Sequence, residues 1–480
     1  MTTGTLGDPG QPWLHMKKTN FGPRLGLSWS PAALHNKTVL RVGGGLFYGP
    51  GQTEDQLQPA ESDRVSTTIT SGPNLAYPLN TQAVLAGYNI NDPNLQFQPR
   101  AYAPGYRVPE RIGSYTFSIE QQLPGSAVLS IAYVGSQGRN LFLRSVTNKI
   151  VGVSTNPTTG VAIVTREFGN RFAEIDYKTS GGNSHYDSLQ TTLNRRFSRG
   201  FTLGAQYTWS HNIGNTQGSN EANTASNNFN FDADHGNNTF DVRHSFNFSS
   251  LYELPFGKGR QFMTDASPVV DAVLGGWQIG SIVNARSGLP IEVLITRPDI
   301  VYRDNRDGSI VASPILVNGT PVTTAIINVP GGGNSRNIRR PDLVPGVNPL
   351  IQNGGLAYIN PAAFSIPAPG TFGNLGRNAL HGPHFAQLDF TLSKKFQFAE
   401  KRNVEFRSEF YNILNHTNFA LPGSTRLANA LGTGTNQVQP GLPFTTAAAG
   451  GNYGVLTSTV ANQVGIGTNR QIQMVLRINF

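Results

Sequence analysis

The sequence offers nine histidines, scattered carboxylates and no cysteine. The missing thiols remove disulfide frameworks, Cys-containing zinc sites and thiol nucleophiles together. Two stretches resemble cation loops: FDADHG (231–236), with Asp232, Asp234 and His235, and DNRDG (304–308). A calcium loop places oxygen ligands at its first, third and fifth positions, ahead of a glycine. The first stretch has Gly236 at the fifth position and the second has Arg303 at the first, so both read as turns built from Asp, Asn and Gly. An activated serine would call for G-x-S-x-G, which does not occur. GGG recurs at 43–45 and 331–333 with no Lys-Ser/Thr after it, which excludes a phosphate loop. The first reads as thin strand that admits curvature or close packing, the second as loop. No enzyme activity, metal or cofactor is expected.

With chemistry this sparse, the scaffold carries the meaning. Among 480 residues, charged side chains make up 14%, against about 25% in a typical soluble protein. Aromatics reach 10%, too many for a solvated coil. The net charge of +9 is spread out in runs no longer than Arg195-Arg196 or Lys394-Lys395, which argues against nucleic acid and suits anionic lipid head groups. The first twenty residues lack the basic start and apolar stretch of an export signal. The charge-free segments 65–91 and 309–335 are broken by Pro, Gly and Asn, so neither is a helical span. A membrane crossing would have to use strands.

Period-two alternation is the strongest signal. Phe201, Leu203, Ala205, Tyr207 and Trp209 oppose Thr202, Gly204, Gln206, Thr208 and Ser210. The same test predicts about eleven strands, near 21–29, 37–48, 112–123, 126–135, 185–198, 200–211, 241–256, 275–287, 384–398, 403–414 and 466–480, and no helix of comparable quality. Tight links at 30–36, 123–126, 198–200 and 398–402 alternate with long loops near 49–111, 136–184, 212–240, 288–383 and 415–465; the 257–274 link is of middling length. Short turns on one side and long loops on the other describe an all-β, antiparallel transmembrane barrel rather than a soluble sandwich. In hydrocarbon every N–H and C=O must pair internally, which strands achieve by closing a sheet.

On that reading Tyr207, Trp209, Tyr252, Phe256, Trp277, Phe396 and Phe398 fall near strand ends, where aromatic girdles belong. Arg41, Gln206, Arg243, Arg286, Asp389, Arg407, Glu409 and Arg477 are the polar-face candidates, expected to line the lumen and mostly to pair across strands. His244, on the side of Phe246 and Phe248, reads as interfacial. Ligand contacts are expected on the long loops near 49–111, 136–184 and 288–383. Single-chain barrels have even strand numbers, so an odd count ending at the last residue predicts further strands upstream.

Several segments carry a family resemblance. FDVRHSFNFSSLYELPFGKGR (240–260), LGGWQIGSIVNARSGLPIEV (274–293), the run from LGRNALHGPHF to NFALP (375–422) and YGVLTSTVANQVGIGTNRQIQMVLRINF (453–480) resemble, in that order, the C-terminal barrel of Oar-like TonB-dependent transporters. NFGPRLGLSWSP (20–31) and NRRFSRGFTLGAQYTWSH (194–211) extend the resemblance almost from end to end. It implies that residues 1–480 are part of such a domain, the C-terminal half of a barrel of about 22 strands in a Gram-negative outer membrane. It also implies a plug and a TonB-contacting box that the sequence does not contain, and energised import of a large solute. Ile472, Met474, Leu476, Ile478 and Phe480 resemble the terminal signal read by the outer-membrane assembly machinery. The other expected partners are lipid and lipopolysaccharide. His235 departs from the Arg expected of the family before Gly236. A secretion, adhesion or structural barrel without energised transport is the alternative.

Overall fold

A computed structural model describes residues 19–49, 106–216, 230–331, 338–399, 402–428, 436–461 and 466–480, with short stretches at 15–16, 82, 99–103, 225–227 and 431–432. Most of the expected 49–111 loop and the second half of the 331–333 triplet lie outside these residues.

Eleven strands form an antiparallel meander: β1 (Arg24–Trp29), β2 (Thr38–Tyr48), β3 (Arg111–Leu123), β4 (Ala127–Thr147), β5 (Ile175–Ser198), β6 (Phe201–Gly214), β7 (His244–Glu253), β8 (Trp277–Arg286), β9 (Phe385–Ala399), β10 (Arg402–Tyr411) and β11 (Gln471–Asn479). Each pairs with the next in sequence, and β1 and β11 end the ladder without pairing with each other among the described residues.

Register carries one apolar face through the sheet. Leu27 faces Val42, which faces Phe117, then Tyr133, Leu189 and Trp209 in turn. Further along, Phe246 pairs with Ala285, Val283 with Leu388, Phe390 with Phe410 and Phe410 with Ile472. Much of this face is uncovered: Leu25 is 82% exposed, Met474 69% and Leu476 66%. An apolar surface this continuous is far larger than water tolerates on a monomer, so its solvent is hydrocarbon.

Three elements differ from the sequence reading. β4 and β5 run to 21 and 24 residues, so the expected 136–184 loop shrinks to 148–174. Their upper halves leave the lipid and meet water or protein on both sides, which erases the alternation that marks a membrane strand. Gly182 permits the close pairing there, since a Cβ would lie 2.5 Å from the Leu141 carbonyl oxygen. The 257–274 link contains a helix, α1 (Pro268–Leu274), too short for a periodic pattern. The loops above the sheet are not free. Segments from 291 to 453 share a core that includes Ile295, Val301, Phe364, Ile366, Leu427 and Phe444, all nearly inaccessible.

Candidate functional site

Two surfaces could contact a solute: the polar face of the sheet and the cap of packed loops above it. On the polar face, Arg41 pairs with Ser118, Gln206 with Asn247, Arg286 with Ser245, Asp389 with Ile282, Glu409 with Thr391 and Gln473, Arg407 with Ser393, and Arg477 with Glu405. Seven of the eight polar candidates therefore share one face. Arg243 lies just before β7, with Nη2 3.5 Å from His211 Nε2 at the rim.

These groups mostly satisfy one another. Arg41 donates to Glu120 at 2.7 Å across β2 and β3, and Arg407 meets Glu409 at 3.0 Å. Tyr411 donates its hydroxyl to Glu409, while Gln387 and the Asn412 N–H both donate to Asp389. Arg286 lies over the ring of its register partner Phe385, 5.7 Å from the centroid. Asp389, Glu405, Arg407, Glu409 and Gln278 line a recess of about 430 Å³ on this face. Its mixed charge suits a polar solute or protein surface rather than an apolar ligand.

Five of the girdle aromatics occupy the apolar face: Tyr207 opposite Phe246, Trp209 opposite His244, Tyr252 opposite Ile279, Trp277 opposite Lys394 and Phe396 opposite Val404. His244 sits among them, its Nδ1 2.9 Å from the Tyr207 hydroxyl. Phe256 and Phe398 depart from the regular pattern. Phe256 lies beyond β7 with its ring tilted against that of Phe262, and Phe398 falls at a register shift. Ile472, Met474, Leu476 and Ile478 lie on the apolar face of β11, with Phe480 just past its end.

The cap is organised by buried cations that the sequence alone did not mark. Arg297 donates to the Asn328, Thr371, Pro367 and Ala368 carbonyls and to the Asn328 side chain. Burial pulls its pKa down to about 10, so it stays charged at neutral pH within this cage of acceptors. Arg340 joins two loops, pairing with Asp234 at 2.7 Å and Glu292 at 3.2 Å. Asn237 and Asn378 exchange side chain-to-carbonyl bonds, and Arg377 donates to the Gly214 carbonyl. A Cβ on Gly236 would come within 2.5 Å of the Arg377 carbonyl oxygen, so the glycine after His235 is a packing requirement. The 148–174 segment joins through Ala162 N–H to the Tyr302 hydroxyl and Ala325 N–H to Thr155 Oγ1.

Both suspected cation loops prove to be turns. Asp234 is committed to Arg340 and Ser226, and Asn230 caps the turn at Phe231–Asp234. In DNRDG, Arg306 hydrogen-bonds Asp304 and holds its carboxyl down at about 2, and Asp307 accepts from the Ser309 N–H. Among the described residues no group of three or more His, Asp or Glu could hold a metal.

An antiparallel ladder with hydrocarbon on one face and paired polar groups on the other defines a β-barrel wall of the outer membrane. The sequence profile of the outer membrane beta barrel domain matches residues 1–473, and the chain belongs to that family, which places it in the outer membrane of a Gram-negative cell. No curated protein matches the sequence. Among solved structures, the outer membrane transporter YddB from Escherichia coli aligns at 8% identity and TM-score 0.39, over 88% of this chain and 39% of its own. The siderophore receptors PirA and PiuA from Acinetobacter baumannii align at 10% and 9% identity with TM-scores of 0.36 and 0.34, over 82% and 95% of this chain and 37% and 35% of theirs. The chain thus spans about two fifths of the first of these proteins and little more than a third of the others.

Proposed function

We propose that this chain is part of the wall and surface cap of an Oar-like TonB-dependent transporter, importing a large solute at the expense of inner-membrane energy. The observation that carries the reading is a polar face running unbroken across eleven strands beneath a packed loop cap. That is the arrangement expected where a lumen is filled by a plug and a solute is met from outside. The ordered sequence resemblance from residue 20 to 480 supports it independently.

In this reading β1 and β11 pair with strands beyond these eleven, since unpaired edges in hydrocarbon are untenable. Arg41, Gln206, Arg286, Asp389, Arg407, Glu409 and Arg477 face the lumen, with Arg243 at its rim. The girdle aromatics meet lipid and lipopolysaccharide head groups, and the β11 stripe ending in Phe480 is read by the assembly machinery.

The test is solute uptake in three strains: intact, deleted for this gene and deleted for TonB. Loss of the same uptake in both deletions is the expected result. Normal uptake in the gene deletion, together with loss of a secreted or adhesive product, would establish the barrel without energised transport.

A further inference from the structure

The link between β7 and β8 holds a helix that neither the sheet nor the cap explains. α1 starts on Ser267, whose Oγ accepts from Val270 N–H, with Pro268 in its first turn. Its far end is fastened to the sheet. Trp277 Nε1 donates to the Val273 carbonyl at 2.9 Å, and Lys394 Nζ donates to the same carbonyl at 3.2 Å and also to that of Gly275. Cations at a helix C-terminus complement its dipole. Trp277 and Lys394 are register partners on the apolar face, so α1 is mounted outside the barrel at the short-turn, periplasmic rim. The Lys258 N–H donates to Asp271 and ties the helix to the preceding turn.

What remains is an uncovered aliphatic side. Val269 is 74% exposed, Val273 60% and Leu274 45%, and Phe256, Phe262 and Met263, just N-terminal to the helix, are exposed too. Val269 and Val273 are four residues apart and so lie on one helix face. A seven-residue helix gains little stability by itself, and aliphatics displayed to water give it none. Trp277, which bonds the helix, and Phe396 lie on the apolar face at this rim and lead from α1 to the lipid-facing band.

We infer that α1 is an interfacial foot, lying in the head-group and acyl boundary of the periplasmic leaflet with Val269, Val273 and Leu274 toward the chains of its glycerophospholipid. Short apolar helix faces of this kind bury about 5–10 Å deep when flanked by aromatics and cations at head-group level. Lys394, over the rings of Trp277 and Phe396 at 5.2 and 5.1 Å, is the strut that holds the foot to the wall.

The absence of cysteine makes the test direct. Single variants Val269→Cys, Val273→Cys, Asp265→Cys and Val283→Cys of the full chain are spin-labelled in phosphatidylethanolamine–phosphatidylglycerol vesicles. Each is then read for collision with oxygen against a water-soluble nickel chelate. Labels at 269 and 273 should favour oxygen, as the wall position 283 does, whereas 265 should favour nickel. Nickel-dominated signals at both 269 and 273 overturn the foot. An oxygen-dominated signal at 283 in the same preparation then leaves the wall and the transport reading untouched.

Discussion

The sheet and the cap solve opposite solvation problems with one chain. In the sheet, apolar side chains are the exposed ones, because their solvent is lipid, and the polar face is held by pairs such as Arg41–Glu120. In the cap, apolar side chains such as Phe364 and Val301 are inaccessible, as in a soluble domain, and buried cations such as Arg340 bridge the loops. Burial there depends on contacts between segments far apart in sequence, such as Ala357 with Val455. Stability in the sheet comes instead from its ladder and its medium. One region is specified by a local period, the other by a global fit.

Four perturbations separate the two regions. The largest effect is expected for Phe364→Ala, which removes a fully buried ring and should cost the cap about 3–5 kcal/mol. Amide exchange across 291–453 should accelerate while the strands stay protected; equal loss in the strands would show that cap and sheet unfold as one unit. Next, Val283→Arg on the apolar face should cost about 2–4 kcal/mol in denaturant unfolding from lipid. Ile282→Arg, one residue away on the polar face, should change stability by no more than about 0.5 kcal/mol. Glu120→Gln breaks an exposed pair with Arg41 and should cost about 0.2–1 kcal/mol, less in high salt.

The smallest effect is a pH dependence in the 300–327 hairpin. Because Arg306 lowers the Asp304 carboxyl to about 2 in the folded state, the contribution of this contact is complete above the ordinary carboxylate value. It is lost as pH falls through about 2. Local protection, as exchange relative to the intrinsic rate at each pH, should therefore be flat from pH 6 to about 4 and fall below that. A loss of protection already at pH 6 would mean that another group holds the turn.

The sheet was almost wholly legible. Leu203, Tyr207 and Trp209 alternate with Thr202, Gln206 and Ser210 because each strand there separates two solvents, and a period-two pattern records that. The pattern ended where the solvents did. Above the lipid, β4 from Ser136 to Thr147 mixes Gln, Gly, Arg, Leu and Ser, and the strand continues on its ladder and on side chains such as Phe142, Leu143 and Val146 buried against neighbouring segments. α1 gave too few turns to register as a helix. The cap left no periodic trace, since Arg340 finds Asp234 and Glu292 only when three distant segments meet. Asp234 and Asp304 were legible as turn residues, but not as partners of particular arginines.

Solvent access along a single strand tests the central claim most directly. A cysteine scan of 388–392 in lipid vesicles, each thiol carrying a fluorophore read by quenching from brominated acyl chains, should show positions 388, 390 and 392 quenched. Cysteines at 389 and 391 should instead react with aqueous thiol reagents. Uniform aqueous labelling, or quenching without a two-residue period, would mean that the apolar face does not meet hydrocarbon and that no barrel wall exists here.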